Sequence, residues 1–284
     1  MSATSSVGNA AARAESRLKR FASNICAAVS LFFRSPRPPG RRPAWPPHGR
    51  LALGALVAFL VVLAVVVLLD ARSVAGARQL PANLIWLFRH ITDLGLSGWF
   101  LFPTAFLMLA LAMLDSPALP GFSRRVMATI SIRLSFIFMS VAVPGLFSAI
   151  VKRLIGRARP FVAGEDPWTS LLLVWRPDYA SFPSGHATTA FAAAVAIGAI
   201  WPRIRPLMWA YAVLIAVSRV VVTAHHPSDV IAGALVGGIG ALLVRNWYAA
   251  RRLGFAVAAD GTVFPLPGPS WRRIKAVARR AVSA

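Results

Sequence analysis

The sequence has little cysteine and little negative charge. Cys26 is its single cysteine, which excludes a disulfide within the chain and says nothing of the redox compartment. Only 9 of the 284 residues are Asp or Glu, and they form no cluster of carboxylates suited to Mg²⁺. We therefore expect the protein to work without a metal and without any other cofactor.

Positive charge, in contrast, is abundant. The 31 Lys and Arg residues give a formal net charge of +22, a balance that often indicates nucleic-acid binding. Here most of the charge lies in the two tails and beside apolar runs, as membrane topology requires. The chain is 57% hydrophobic with a mean hydropathy of +0.64, which is too apolar for an ordinary soluble domain. We predict an integral membrane protein that does not bind nucleic acid.

The apolar runs predict an all-α fold, a bundle of six transmembrane helices. Several runs are shorter than the ~20 residues that a span needs, so a soluble helical protein is the competing interpretation. Six such runs in one chain favour the membrane. Small residues such as Gly233 and Gly237 predict close helix packing, within the monomer rather than in a dimer. The predicted spans are residues 51–69, 94–114, 126–151, 186–201, 207–222 and 229–244.

The first apolar run also has a feature of a secretory signal. Ala75-Gly76-Ala77 follows it, as a cleavage site would. However, roughly fifty residues precede the run, and its uncharged core is longer than the ~7–15 residues of a signal peptide. We expect a retained anchor.

Composition divides the chain into three regions. They are a basic N-terminal tail with a proline-rich linker (1–50), a six-span domain (51–246) and a basic C-terminal tail (247–284). Residues 1–12 are small and polar and are expected to be disordered.

Both tails carry basic amphipathic stretches. Residues 11–33 fit a helix lying on anionic lipid or, equally well, a partly ordered tail. Residues 271–282 indicate a second interfacial helix, and residues 255–264 alternate around Asp260-Gly261, which predicts a small hairpin. Anionic lipid is therefore the expected partner of the tails.

Three islands of polar residues interrupt the apolar sequence. They are residues 152–160, which begin with Lys152 and end with Arg159-Pro160, then residues 181–186, which contain Pro183-Ser184-Gly185-His186, and then Ser218-Arg219 with His225 and Asp229. These residues resemble the type 2 phosphatidic acid phosphatase family, within the superfamily of acid phosphatases and vanadium haloperoxidases. The family pattern is Lys-x6-Arg-Pro, Pro-Ser-Gly-His and Ser-Arg-x5-His-x3-Asp, and every motif position is present here.

The residue types suit binding of a phosphoryl group. Lys152, Arg159 and Arg219 are candidate ligands of the negative oxygens, on which catalysis of phosphoryl transfer mostly depends. Ser184 is a natural N-cap of the fourth span, and Gly185 lets the exposed amides of a helix N-terminus approach an anion closely.

Two histidines and one carboxylate suit the transfer itself. His225 is the candidate nucleophile, and Asp229, four residues on, would fix its tautomer and stabilise its cation. His186 would protonate the leaving oxygen and then act as base for water. The resemblance implies the same roles. His226 lies outside the motif and is expected to be structural.

Other polar residues near the islands have open roles. Arg153 and Arg157 would guide an anionic head group or only bind lipid phosphate. Glu165, Asp166 and Asp178 would contact a sugar or glycerol head group, although solvated loop charges are the simpler interpretation.

In a bundle of six spans, successive helices cross the membrane in alternating directions. The helix ends that carry the three islands therefore lie at the same membrane face. The opposite face, with both tails, carries 21 of the 31 Lys and Arg residues. The positive-inside rule then places both termini in the cytoplasm and the site at the outer membrane-water interface. In a bacterium this is the periplasmic side of the inner membrane.

We expect hydrolysis of a phosphate or pyrophosphate ester on a membrane lipid. Candidate lipids are undecaprenyl pyrophosphate, phosphatidylglycerol phosphate, phosphatidic acid and lipid A phosphates, and we place undecaprenyl pyrophosphate first. The sequence leaves open this choice, the oligomeric state and a lipid-to-lipid phosphotransferase with the same site. A non-catalytic lipid-binding protein would be expected to have lost motif residues, and a vanadium haloperoxidase would be soluble.

Overall fold

Helices dominate the structure, a computed structural model that describes residues 2–36, 43–115, 119–164, 166 and 168–282. In chain order the helices are α1 (Ser2–Phe33), α2 (His48–Val65), α3 (Ala71–Arg78), α4 (Ala82–Asp93), α5 (Gly98–Leu114), α6 (Gly121–Ile155), α7 (Pro160–Ala163), α8 (Gly185–Ile200), α9 (Arg205–Val221), α10 (Pro227–Ala250) and α11 (Trp271–Val282). A π-helical turn, Val66–Asp70, joins α2 to α3, and 3-10 turns lie at Pro177–Tyr179 and Pro202–Ile204. Two strands, β1 (Phe255–Val257) and β2 (Val263–Pro265), complete the described chain.

Among the described residues, five helical stretches are long and apolar enough to cross a membrane. They are His48–Arg78, Ala82–Leu114, Gly121–Ile155, Pro202–Val221 and Pro227–Ala250. The prediction of an all-α integral membrane protein is confirmed. The predicted fourth span is α8, whose 16 residues extend about 24 Å, short of the ~30 Å hydrocarbon core. The count of six spans stays a prediction.

The first two membrane helices extend beyond their predicted bounds. The first continues through the π-helical turn and α3 to Arg78, although charge begins at Asp70. The helix tolerates Asp70 because its carboxylate is fully buried and paired with other polar groups. The second begins at Ala82, directly after Pro81, well before the predicted start at residue 94.

The chain divides into two compact units. The tail unit comprises the described parts of Met1–Arg42, Pro103–Ser135 and Trp247–Ala284. The motif unit comprises Pro43–Phe102 and the described part of Phe136–Asn246. The three regions predicted from the sequence were defined by composition rather than by contacts between residues, and they stay a prediction.

Within the tail unit, helix α1 begins at Ser2, so the expected disorder is wrong for residues 2–12, while Met1 lies outside the described residues. Alanine is the best helix former, and the alanines of this segment allow the helix to start early. Asn24 Nδ2 donates hydrogen bonds to the carbonyl oxygens of Ala112 (2.9 Å) and Asp115 (3.0 Å) at the end of α5. The predicted hairpin is confirmed, with Phe255 opposite Pro265 in antiparallel register.

Within the motif unit, helices α8 and α10 approach so closely that side chains are excluded between them. A Cβ at Gly233 would overlap the Ser184 carbonyl oxygen, and a Cβ at Gly237 would overlap that of Thr188. These glycines therefore pack within the monomer, as predicted. The contact places the beginning of α10 beside the beginning of α8, where two of the polar islands lie.

Replacing Gly237 with Ala is expected to destabilise the protein by about 1–3 kcal/mol, because the added methyl group forces the two helices apart. Unfolding in detergent micelles would measure the change. Gly238→Ala is the matched control, since a Cβ at Gly238 meets no atom within 4 Å. Equal stability of the two variants would contradict the packing described here.

Candidate active site

The cations and the α8 N-terminus form one half of the site. Ser184 is the N-cap of α8, as predicted, and it lies in extended backbone before Gly185. Its hydroxyl group is fully buried and has no hydrogen-bond partner among the described residues. The Lys152 Nζ, in the last turn of α6, lies 3.4 Å from where a Cβ of Gly185 would be. An ammonium group, a hydroxyl donor and helix N-terminal amides together suit an anion.

The two arginines of the motifs are held by neutral oxygens. Arg159 Nε donates to the Pro177 carbonyl oxygen at 3.0 Å, and Arg219 Nη1 donates to the Thr92 hydroxyl at 2.7 Å. Burial lowers the pKa of Arg159 from its usual value, while the carboxylates of Asp229 and Asp178 oppose the shift. Because their partners are neutral, both guanidinium groups keep their charge available for an anion.

The spacing of the third island has a local structural cause. Helix α9 ends at Val221, and Thr223 turns the chain with a positive φ of 51°. The backbone N–H of His225 then donates to the Arg219 carbonyl oxygen at 3.2 Å. The turn fixes His225 between the end of α9 and the start of α10, beside Asp229.

Asp229 is the centre of the other half of the site. Its carboxylate is fully buried and accepts hydrogen bonds from the Ser181 hydroxyl (2.6 Å) and the His226 backbone N–H (2.9 Å). The His225 Nδ1 lies 3.7 Å from Asp229 Oδ2 and 3.4 Å from Ser181 Oγ. Since the Ser181 proton points to the carboxylate, its oxygen faces Nδ1, which favours the proton on Nδ1 and a lone pair on Nε2.

Arg157 binds this carboxylate from the other side. Its Nη1 lies 2.6 Å from Asp229 Oδ1, and its Nη2 lies 2.7 Å from Asp70 Oδ2. Ser228 joins the same group, because its hydroxyl and backbone N–H both donate to Asp70. We call Asp70, Arg157, Ser228 and Asp229 the buried ion network. It links the π-helical turn to the start of α10.

The predicted site residues therefore meet in the motif unit. Ser184 N–H donates to the Asp229 carbonyl oxygen at 2.9 Å, which joins the second island to the third. His186, in the first turn of α8, is within electrostatic reach of other motif residues. These are Lys152, Arg159, Arg219 and His225.

Residues 133–253, which include all these motif positions, match the family model of the PAP2 superfamily. The chain is 34% identical to lipid A 1-phosphatase of Rhizobium johnstonii, over 66% of this chain and 77% of the relative. The chain belongs to the PAP2 superfamily. It is also 40% identical to lipid A 1-phosphatase of Rhizobium etli, over 45% of this chain and 55% of that relative. A decaprenylphosphoryl-5-phosphoribose phosphatase of Mycobacterium tuberculosis is 34% identical over 48% of this chain and 68% of the relative.

The predicted family and class of enzyme are thereby confirmed. PAP2 membership and relatives of this kind make the protein a lipid phosphatase. Both the family match and the geometry point to the same stretch of chain, from the end of α6 to the start of α10.

One expectation for this PAP2 site is wrong. Arg157 does not present its charge to a head group, because it is 7% exposed and bound to two carboxylates.

Arg153 differs, since its guanidinium lies over the Trp175 ring at 5.4 Å. Asp166 accepts hydrogen bonds from Trp168 and Thr169 in its own turn, as a loop charge does. Glu165 lies outside the described residues.

Sequence reasoning assigned no role in the site to Asp70, Ser181, Ser228 and Thr92. A signal for Asp70 was present, since it is an acidic residue directly after an uncharged apolar run in a chain with few acids. An ionisable residue in a membrane helix is by default a functional candidate whose partner must be found. The serines and Thr92 carry no comparable signal.

Asp70→Asn is expected to lower the free energy of unfolding by about 3–5 kcal/mol, because it leaves Arg157 with one buried partner fewer. Lipid phosphate hydrolysis should fall with it, since Arg157 also holds Asp229. Unfolding in micelles and phosphate release would measure both effects. Glu15→Gln, at an exposed acid of the tail unit that pairs with Lys19, is the control. Wild-type stability and activity in Asp70→Asn would contradict a central role of the network.

Proposed function

We propose that this PAP2 protein removes the 1-phosphate of lipid A through a phosphohistidine on His225. The observation that carries the mechanism is the position of His225, between a buried carboxylate and the anion-binding end of α8. The lipid A 1-phosphatases among the relatives support the substrate. They favour it over undecaprenyl pyrophosphate, which the sequence alone placed first.

In the first step the phosphate binds between Lys152, Arg159 and Arg219, near the Ser184 hydroxyl. Nε2 of His225 forms a bond to phosphorus while the bond from phosphorus to the lipid oxygen breaks. His186 donates a proton to that oxygen, which leaves as the lipid hydroxyl. Asp229 stabilises the positive charge that His225 acquires.

In the second step a water molecule attacks the phosphohistidine. His186, now neutral, accepts a proton from the water as the new bond between oxygen and phosphorus forms. The bond from Nε2 to phosphorus breaks, and inorganic phosphate leaves. The cations stabilise the negative charge of the transferring group in both steps, so no metal is required.

Exposed aromatic residues near the site support a lipid substrate rather than a soluble one. Trp168 and Trp175, in the segment between α7 and α8, are 61% and 80% exposed. Tryptophan is enriched at membrane–water interfaces, where its ring is apolar and its N–H is polar. These side chains would place the site at the depth of lipid phosphates.

We also propose the orientation that the charge distribution favours. The site would face the periplasm from the inner membrane, with both termini in the cytoplasm. The basic helices α1 and α11 would then lie on the anionic lipid of the cytoplasmic leaflet.

The reaction should persist in mild acid. Burial lowers the pKa of His225 from 6.5 to about 4, although Asp229 opposes the shift. The neutral imidazole is the nucleophile, so on the acid side activity is lost as the pH falls through the lowered pKa. The acid limb of kcat/KM, corrected for titration of the substrate phosphate, should have its midpoint near pH 4. A midpoint near pH 6.5 would contradict a buried, neutral His225.

The substrate and the nucleophile can be tested with one assay. Purified protein in detergent and EDTA is incubated with lipid A or with undecaprenyl pyrophosphate, and the products are analysed by mass spectrometry. We expect loss of the 1-phosphate of lipid A, and a decrease of about a thousandfold or more in His225→Ala. His90→Ala, which changes an exposed histidine of α4, should retain activity.

Each part of the proposal has its own contradicting result. Release from undecaprenyl pyrophosphate alone would replace the substrate and keep the mechanism. Loss of activity in EDTA would contradict metal independence. Equal activity of His225→Ala and wild type would contradict the phosphohistidine.

A further inference from the structure

A groove outside the candidate site runs along helices α8, α9 and α10 of the motif unit. Its volume is about 560 Å³, and most of its lining is apolar. Phe191 and Trp209 form one wall, with their rings 5.6 Å apart in an edge-to-face contact. Along α10 the groove extends from Ile231 to Arg245, about 21 Å at the helical rise. This exceeds one leaflet of hydrocarbon, which is about 15 Å thick.

Two arginines line the end of the groove that is remote from the site. Arg205 is the first residue of α9, and Arg245 lies near the end of α10. The site residues Arg219 and Asp229 lie at the other ends of these helices, about 21 and 24 Å away along the helix axes. The arginine pair therefore lies near the membrane face opposite the site.

The arginine pair has no carboxylate in the groove to neutralise it. Among the described residues that line the groove, none is acidic. Arg245 donates to the Asn246 side-chain oxygen at 3.1 Å, a neutral partner that leaves its charge uncompensated. The stem of Arg205 packs over Gly198, with its Cγ 3.2 Å from where a Cβ would be. Two cations beside an apolar groove suit an anionic head group with an acyl chain.

From this geometry we propose that the groove binds an anionic phospholipid of the leaflet opposite the site. The phosphate lies between Arg205 and Arg245, and one acyl chain follows α10 towards Ile231. The acyl chain of a substrate held at the candidate site would fit poorly in this groove, because its apolar end would meet the charges of Arg205 and Arg245. The groove is therefore a second lipid site.

Gly238 gives the groove a steric test. It lines the groove, and a Cβ there would meet no atom within 4 Å. A larger side chain at this position would therefore begin in open space and extend into the volume proposed for the acyl chain. Gly238→Leu should thus obstruct the lipid, while Arg205→Gln with Arg245→Gln should remove the attraction for its phosphate.

The experiment is native mass spectrometry of the protein in detergent with dioleoyl phosphatidylglycerol or dioleoyl phosphatidylcholine. We expect tighter binding of phosphatidylglycerol by wild type. The double arginine variant should weaken it about tenfold, as for loss of charge-assisted hydrogen bonds. Gly238→Leu should weaken both lipids. Arg203→Gln, an exposed neighbour outside the groove, and Lys152→Gln, in the candidate site, should leave phosphatidylglycerol bound.

Three outcomes would overturn the proposal. One is equal affinity of wild type for the two lipids. Another is unchanged phosphatidylglycerol binding in both the double arginine variant and Gly238→Leu. The third is loss of binding in Lys152→Gln alone, which would assign the lipid to the candidate site.

Discussion

The ion pairing of Arg157 with two buried carboxylates is the interaction on which the rest of the site depends. Asp70 and Asp229 are fully buried, and each would carry a large desolvation cost without a cation beside it. Arg157 satisfies both with its two terminal nitrogens. The π-helical turn of the first membrane helix and the start of α10 are thereby fixed together. Asp229 can then hold His225 in one orientation.

The same pairing explains how one site contains both acids and unneutralised cations. Both buried carboxylates form ion pairs with Arg157, while Arg159 and Arg219 donate hydrogen bonds to neutral oxygens. Positive charge therefore stays directed at the α8 N-terminus, where a phosphate would bind. A second set of cations, Arg205 and Arg245, lies at the other ends of the helices that carry Arg219 and Asp229. These two helices thus carry positive charge near both of their ends.

The sequence predicted those features that have a local cause. Helix ends and short turns bring together Lys152, Ser184, His225 and Asp229. The spacing of these residues in the sequence reflects those local structures. The hairpin and α11 follow from local patterns as well. The pairing of Asp70 with Arg157 joins residues 87 positions apart, and no local pattern encodes it. Because the local sequence does not indicate this pairing, Arg157 was expected to face a lipid head group.

The most direct test of this account is to trap the covalent intermediate. Wild-type protein is mixed with lipid A, quenched in alkali within milliseconds and digested, and the peptide containing residue 225 is sequenced by mass spectrometry. The account predicts a phosphoryl group on His225, formed and lost at rates that match turnover. A phosphoryl group on another residue, or full turnover by the wild type with no phosphorylated peptide at any quench time, would contradict it.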